Sequence, residues 1–144
     1  MQRARATLAT RPLPAAALDP CDTALLTRYV DAFTRYDVRA LTELLHEDAT
    51  ASMPPFRWWL RGRTTIGRAL AAPGTPCRDA RLVTTSVNGC PAVGQYFADG
   101  APFALVVLEV TDGLITELTT HLDLADHFPR FGLPMSLPAP IRTY

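Results

Sequence analysis

The sequence predicts one α+β domain, with N-terminal helices packed on one face of a curled antiparallel sheet. Three observations predict it. The first third of the chain is apolar at helical spacing. The second half falls into four β-rich runs separated by tight-turn dipeptides. A length of 144 residues suits one domain with one core.

Composition narrows the function. The apolar fraction of 48% is ordinary for a globular chain, and 14 basic residues balance 14 acidic ones. No overall basic excess points to nucleic acid, so direct nucleic-acid binding is not expected. Every basic residue is arginine; without lysine there is no internal Schiff base, which excludes lysine-type aldolases and covalently held pyridoxal. Cys21, Cys77 and Cys90 are odd in number and lack metal-ligand spacing, so neither a disulfide framework nor a zinc site is expected. We expect no metal and no other cofactor. No apolar run reaches the length of a membrane span, and the N-terminus lacks the apolar core of a secretory signal. The expectation is a cytoplasmic protein with no membrane association.

Residues 1–18 form a basic, Ala/Pro-rich segment carrying Arg3, Arg5 and Arg11, expected as a frayed helix and linker ahead of a domain over 19–134. Asp19-Pro20 reads as an N-cap followed by proline at the first helical position. Leu25, Tyr29, Phe33 and Tyr36 then recur at helical spacing, which predicts a helix over Pro20 to Tyr36. Asp37 caps a second, shorter helix with Leu41, Leu44 and Leu45 on one face. Ala49 to Met53 is expected as a short strand stopped by Pro54-Pro55, Trp58 to Arg61 as another, Thr64 to Ala71 as a third helix, and Pro73 to Pro76 as a loop.

Asn88-Gly89, Asp99-Gly100 and Asp112-Gly113 are hairpin-turn signals. They separate Arg81–Val87, Pro91–Phe97, Pro102–Thr111 and Leu114–Leu122 into a four-strand meander. Gly94 inside the second run predicts a bulge or bend. The chain ends in proline-rich coil, with residues 135–144 as a tail.

The order of these elements resembles the SnoaL-like, nuclear transport factor 2-like superfamily. Tyr29-Val30-Asp31-Ala32-Phe33, Tyr36-Asp37-Val38 and Leu45-His46-Glu47-Asp48-Ala49 resemble its opening helices; Arg61-Gly62-Arg63 and Gly113-Leu114-Ile115 through Asp123 resemble its later landmarks. Ser52-Met53-Pro54-Pro55, Asn88-Gly89, Pro102-Phe103-Ala104 and the stretch from Phe128 to Pro134 look more narrowly like the C-terminal domain of extracytoplasmic-function sigma factors. Residues 2–8 resemble the end of the helix-turn-helix that precedes it. The sigma regions that bind DNA and polymerase are absent, so the chain is read as a pocket domain working alone or excised from a longer parent. The resemblance implies a cone-like fold, with the helices packed in the curled sheet around a central apolar pocket that, in stand-alone relatives, serves isomerases, epoxide hydrolases or cyclases.

Strand alternation assigns faces. With two-residue turns, Leu105 pairs with Thr120, and one face carries Tyr96, Phe103, Leu105, Val107, Glu109, Leu118, Thr120 and Leu122. The other carries Ala104, Val106, Leu108, Val110, Ile115, Glu117, Thr119 and His121. Comparison with ketosteroid isomerase-like members of the superfamily implies that the first face is the inner one and that Tyr29 matches an oxyanion donor. It also implies that Met53 stands where that branch has its general base, and that Val106 to Leu108 occupy its second donor's strand. Limonene-epoxide-hydrolase-like members carry a carboxylate near Thr120. The cavity and one donor are kept; the acid–base pairs are not. Both faces are apolar, so the outer one needs cover: the expectation is a homodimer through that face, with a folded-back C-terminal segment as the alternative cover.

The catalytic candidates are therefore Tyr29, Tyr96, Thr120 and, as a minor one on the outer face, His121. The substrate-binding candidates are Phe33, Met53, Trp58, Trp59, Phe103, Leu105, Leu118 and Leu122. As neighbours on a strand, Trp58 and Trp59 point opposite ways, so one belongs to the core and the other to the mouth. Each candidate also has a plain reading: Tyr29 as a core aromatic, Met53 as a gap-filler, Tyr96 and Thr120 as ordinary strand formers. Glu109 is expected at a solvated rim.

The functional expectation is a cofactor-independent cyclase or isomerase of specialised, polyketide-like metabolism. It would bind an apolar small molecule and promote intramolecular ring closure, cycloaddition included, by holding a reactive conformer and donating hydrogen bonds. The alternative is a regulatory, ligand-sensing sigma-factor module acting on RNA polymerase. A binding or scaffold protein without activity is the plainest reading.

Overall fold

The structure is a computed structural model that describes residues 18–72 and 78–138. The expected N-terminal helix and linker, the Pro73 to Pro76 loop, Cys77 and the end of the tail lie outside the described residues. Helix α1 (Pro20–Thr34) starts where the cap predicts: the Asp19 carboxylate accepts the Asp22 N–H at 2.9 Å, with Pro20 in the first turn. It stops two residues short of Tyr36, which takes a left-handed φ of 50°. Helix α2 (Val38–Glu43) is capped by Asp37, whose carboxylate accepts the Ala40 N–H at 3.1 Å. That bond holds the Asp37 carboxyl below its ordinary pKa.

Strands β1 (Leu45–Ser52) and β2 (Trp59–Arg61), helix α3 (Arg63–Ala71) and strands β3 (Arg81–Val87), β4 (Cys90–Tyr96), β5 (Pro102–Thr111) and β6 (Leu114–His121) follow. They form one six-stranded sheet in the order β2-β1-β6-β5-β4-β3. The meander is the expected one. However, β1 begins four residues earlier than its expected start at Ala49 and joins β6 in parallel, so the sheet is mixed rather than wholly antiparallel. The turns at Asn88-Gly89 (φ 52° and 81°) and Asp112-Gly113 (φ 54° and 80°) carry the paired positive φ of type I′ hairpins.

The face assignment of β5 is corrected by two irregularities. At the Asp99-Gly100 turn, the Phe97 N–H donates to Ala101 O and Tyr96 pairs with Pro102 rather than Phe103. In β6, Thr116 is an extra residue between the Glu109–Glu117 and Val110–Ile115 pairs. Leu105 therefore pairs with His121, and Val106 with Thr120. A one-residue slip turns every following side chain over. Leu118 and Thr120 stay inside, but Val106 and Leu108 replace Leu105 and Val107 on the concave side.

Two apolar cores result. The concave one joins Leu25, Leu26, Tyr29 and Phe33 of α1 to Val93, Val106, Leu108 and Ile115 of the sheet. The convex one joins Tyr96 and Leu105 to Phe128 and Leu133. The latter two belong to a C-terminal 3-10 segment (Leu122–Phe131) and the residues after it. The folded-back segment, one of the two expected covers, thus closes the convex face over β4 and β5. Gly94 is not a bulge: it pairs regularly with Val83 and Leu105. A Cβ there would lie 2.8 Å from Leu133 Cδ1 and 3.2 Å from Phe128 Cε2, so glycine admits the covering segment.

Gly94→Ala should lower stability by about 1–3 kcal/mol through overpacking, read as a lower urea midpoint. On the convex side Glu109 stands opposite Glu117. Partial burial, then the neighbouring Glu117 charge, raises the Glu109 carboxyl pKa. A raised native pKa means that the folded chain holds a proton the unfolded chain has released. This pair's contribution to stability therefore falls as pH rises from the ordinary glutamate range upward. Glu109→Gln should flatten that slope in urea titrations at roughly pH 4 to 7; an unchanged slope would refute the assignment.

Candidate ligand-binding site

The helices and the concave face do not meet everywhere. Between them lies a cavity of about 320 Å³. Helix α1 contributes Tyr29 and Phe33, α2 Leu41, and α3 Ile66, Ala69 and Leu70. Leu45 and Ala51 of β1 and Met53 just after it form one wall, with Trp58 beside them. The floor is Gln95 of β4, Phe103 and Val106 of β5, and Leu118 and Thr120 of β6. Trp58 is 41% exposed, so it belongs to both the lining and the rim. The equally exposed Phe97 packs against Phe103 at 5.0 Å between ring centres and continues that rim.

Seven sequence-predicted site residues share this cavity: Tyr29, Phe33, Met53, Trp58, Phe103, Leu118 and Thr120. Five do not line it. Tyr96 is fully buried on the convex side, where its hydroxyl donates to Pro134 O at 2.7 Å and its ring meets Phe128 edge-on at 5.2 Å. Burial pushes its phenol pKa up to about 12. Leu105 is in the same convex core, turned outward by the Thr116 bulge. His121 pairs with Leu105 on that face, its Nδ1 3.9 Å from Asp123. Trp59 is 60% exposed on the edge strand β2; Trp58 precedes that strand and is itself exposed, so neither tryptophan is the core residue expected from alternation. Leu122 has left the sheet to start the 3-10 segment, its N–H donating to Pro54 O at 3.0 Å.

One polar lining residue escaped the sequence reading. Gln95 is 3% exposed and faces the cavity from near the end of β4, one strand in from the sheet's edge. The expected register put Tyr96 inside, and hence its neighbour Gln95 outside. The Asp99-Gly100 turn and Phe103 reverse both.

The chemistry of the lining is narrow. Side-chain N–H and O–H groups come from Tyr29, Gln95, Thr120 and the Trp58 indole. None of the described lining residues is an aspartate, glutamate, histidine, cysteine or arginine. Such a wall can hold an apolar body and donate or accept hydrogen bonds. It offers no group that exchanges a proton near neutral pH.

Tyr96→Phe deletes one buried hydrogen bond remote from the cavity. It should cost about 1 kcal/mol of stability in urea unfolding and leave ligand affinity unchanged.

Comparison with known proteins agrees with this geometry. Over 147 aligned positions the chain is 37% identical to the extracytoplasmic-function RNA polymerase sigma factor SigG of Mycobacterium tuberculosis, covering 95% of this chain and 40% of that protein. The chain thus spans two-fifths of the length of that relative. Among solved structures, an NTF-2 like protein of unknown function from Burkholderia xenovorans superposes with a TM-score of 0.60 at 14% identity, covering 86% of this chain and 88% of the other. An LEH-like epoxide hydrolase of M. tuberculosis superposes with a TM-score of 0.53 at 17% identity, covering 77% and 89%. Identities this low speak to the fold alone. The sequence pattern of the SnoaL-like domain matches residues 26–118, from the middle of α1 into β6, and the chain belongs to the SnoaL-like domain family.

Proposed function

We propose that the protein binds an apolar small molecule in the cone and promotes its intramolecular ring closure or isomerisation without a cofactor. The observation that supports this reading is the lining itself: a pocket of ligand-binding size, walled by aliphatic and aromatic groups, with a few neutral polar side chains. A flexible chain confined between Phe33, Val106 and Leu118 loses its extended conformers, so its reacting ends meet more often. That conformational ordering can supply several kcal/mol of barrier lowering without covalent chemistry. Tyr29, Gln95 and Thr120 would orient the substrate and stabilise charge that develops on an oxygen. Concerted ring closure, cycloaddition included, requires no more. Hydrolysis and proton abstraction require an activated water or a base, which the described lining does not provide.

The second reading is a ligand-sensing module that acts on RNA polymerase. It is favoured by the 37% identity with SigG along 95% of this chain. The same cavity would then report ligand occupancy rather than turn over.

A linear polyene carrying both ring-forming partners, incubated with the purified protein, tests the first reading. Ring closure should accelerate with no added cofactor, and the rate should stay flat between about pH 6 and 8, because no described lining group titrates there. Tyr29→Phe should slow it by about ten-fold, the worth of one hydrogen bond made in the transition state. Unchanged cyclisation together with retention on immobilised RNA polymerase would favour the second reading instead.

A further inference from the structure

We infer that the cavity selects an uncharged ligand with an oxygen function on an otherwise apolar body, and that Gln95 is the residue that recognises the oxygen. This inference rests on the small-molecule reading above and specifies the class of molecule. Of the 14 arginines in the chain, none lines the cavity among the described residues. An ionised carboxylate or phosphate entering it would give up water without meeting a countercharge. A purely hydrocarbon ligand, conversely, would leave the Thr120 hydroxyl facing carbon.

The placement of the polar groups adds the positive half. Gln95 sits deep on the floor, opposite Ala104, whose small side chain leaves the amide room above the sheet. A carboxamide has two N–H donors and two acceptor positions, more than any other group in this lining, so that engagement within the protein still leaves it others. Thr120 lies on the same concave surface, with β5 between the two strands. Among the described residues its hydroxyl has no hydrogen-bond partner, although Thr120 is only 9% exposed. Two strand spacings across and two residues along put the two backbones roughly 12 Å apart, with Ala104 opposite Gln95 and Val106 opposite Thr120. The floor thus pairs a neutral amide with a neutral hydroxyl, and both can engage a ketone, ester or alcohol oxygen without a charge on either side.

Three probes of matched length separate the possibilities: nonane, 2-nonanone and nonanoate, titrated at about pH 7.5 against a Trp59→Phe variant, so that the emission followed is that of Trp58. The ketone should bind about five-fold more tightly than the alkane, and the carboxylate at least about ten-fold more weakly than the ketone. Lowering the pH to about 4, where much of the acid is neutral, should recover its binding. Gln95→Leu should remove the preference for ketone over alkane, and a retained cooperative urea transition certifies its fold. Thr120→Val should narrow the same preference and serves if the first variant does not fold. Equal binding of nonanoate and ketone, or a ketone preference that survives Gln95→Leu, would overturn the inference while sparing the apolar cavity. Failure of all three probes to bind would instead overturn the cavity reading and this inference with it.

Discussion

The pairing of β5 with β6 on either side of Thr116 decides which side chains the cavity sees. Before the bulge, counted from the hairpin, Val110 and Ile115 face the helices; after it, Leu108 and Leu118, then Val106 and Thr120, do so. Without the extra residue one of the two strands would present its other face, placing either Glu109 or Glu117 toward α1. The cost of burying that carboxylate is what fixes the register. Thr116 itself is held by its hydroxyl, which donates to Glu109 O at 3.2 Å.

A sheet with two apolar faces must be covered twice, and this chain does so unequally. The concave side is covered by helices that leave space, because α1 crosses the sheet while β1 and α3 stand as walls around the gap. The convex side is covered tightly by Phe128 and Leu133, with Gly94 as the point of closest approach. Tyr96 and Tyr29 illustrate the difference. Both are almost wholly inaccessible, yet Tyr96 is locked to Pro134 in a filled core whereas Tyr29 borders open volume. Rigidity on one side supports emptiness on the other.

Much of this was legible before any coordinates. The Asp19-Pro20 and Asp37 caps, both type I′ hairpins and every strand of the meander follow from local chemistry, and local chemistry is what a sequence displays. Seven of the cavity residues were legible too: Tyr29, Phe33, Leu118 and Thr120 from the periodicity of α1 and β6, and Met53, Trp58 and Phe103 from strand alternation and the family resemblance. The two register breaks were not legible. Neither Thr116 nor Phe103 is a glycine or proline, and a bulge formed by ordinary strand residues leaves no mark in composition. Gln95 and Tyr96 exchanged faces for that reason, and Leu105 went with them. Gly94 carried a real signal that admitted two readings, a bend or a close approach, and only the packing of Leu133 distinguishes them.

The brevity of β2 has a consequence for how molecules of this protein behave toward each other. It forms one margin of the sheet, yet it has only three residues, with Pro54-Pro55 upstream and Gly62 at a φ of 94° ending it. A neighbouring chain looking for a strand to extend finds too few consecutive amides in line to add itself. At the opposite margin, β3 is tied to the C-terminal segment by Thr85, whose hydroxyl donates to Phe131 O, and by Arg81, which donates to Pro138 O. A largely apolar sheet is thereby kept from templating ribbons of itself, edge to edge.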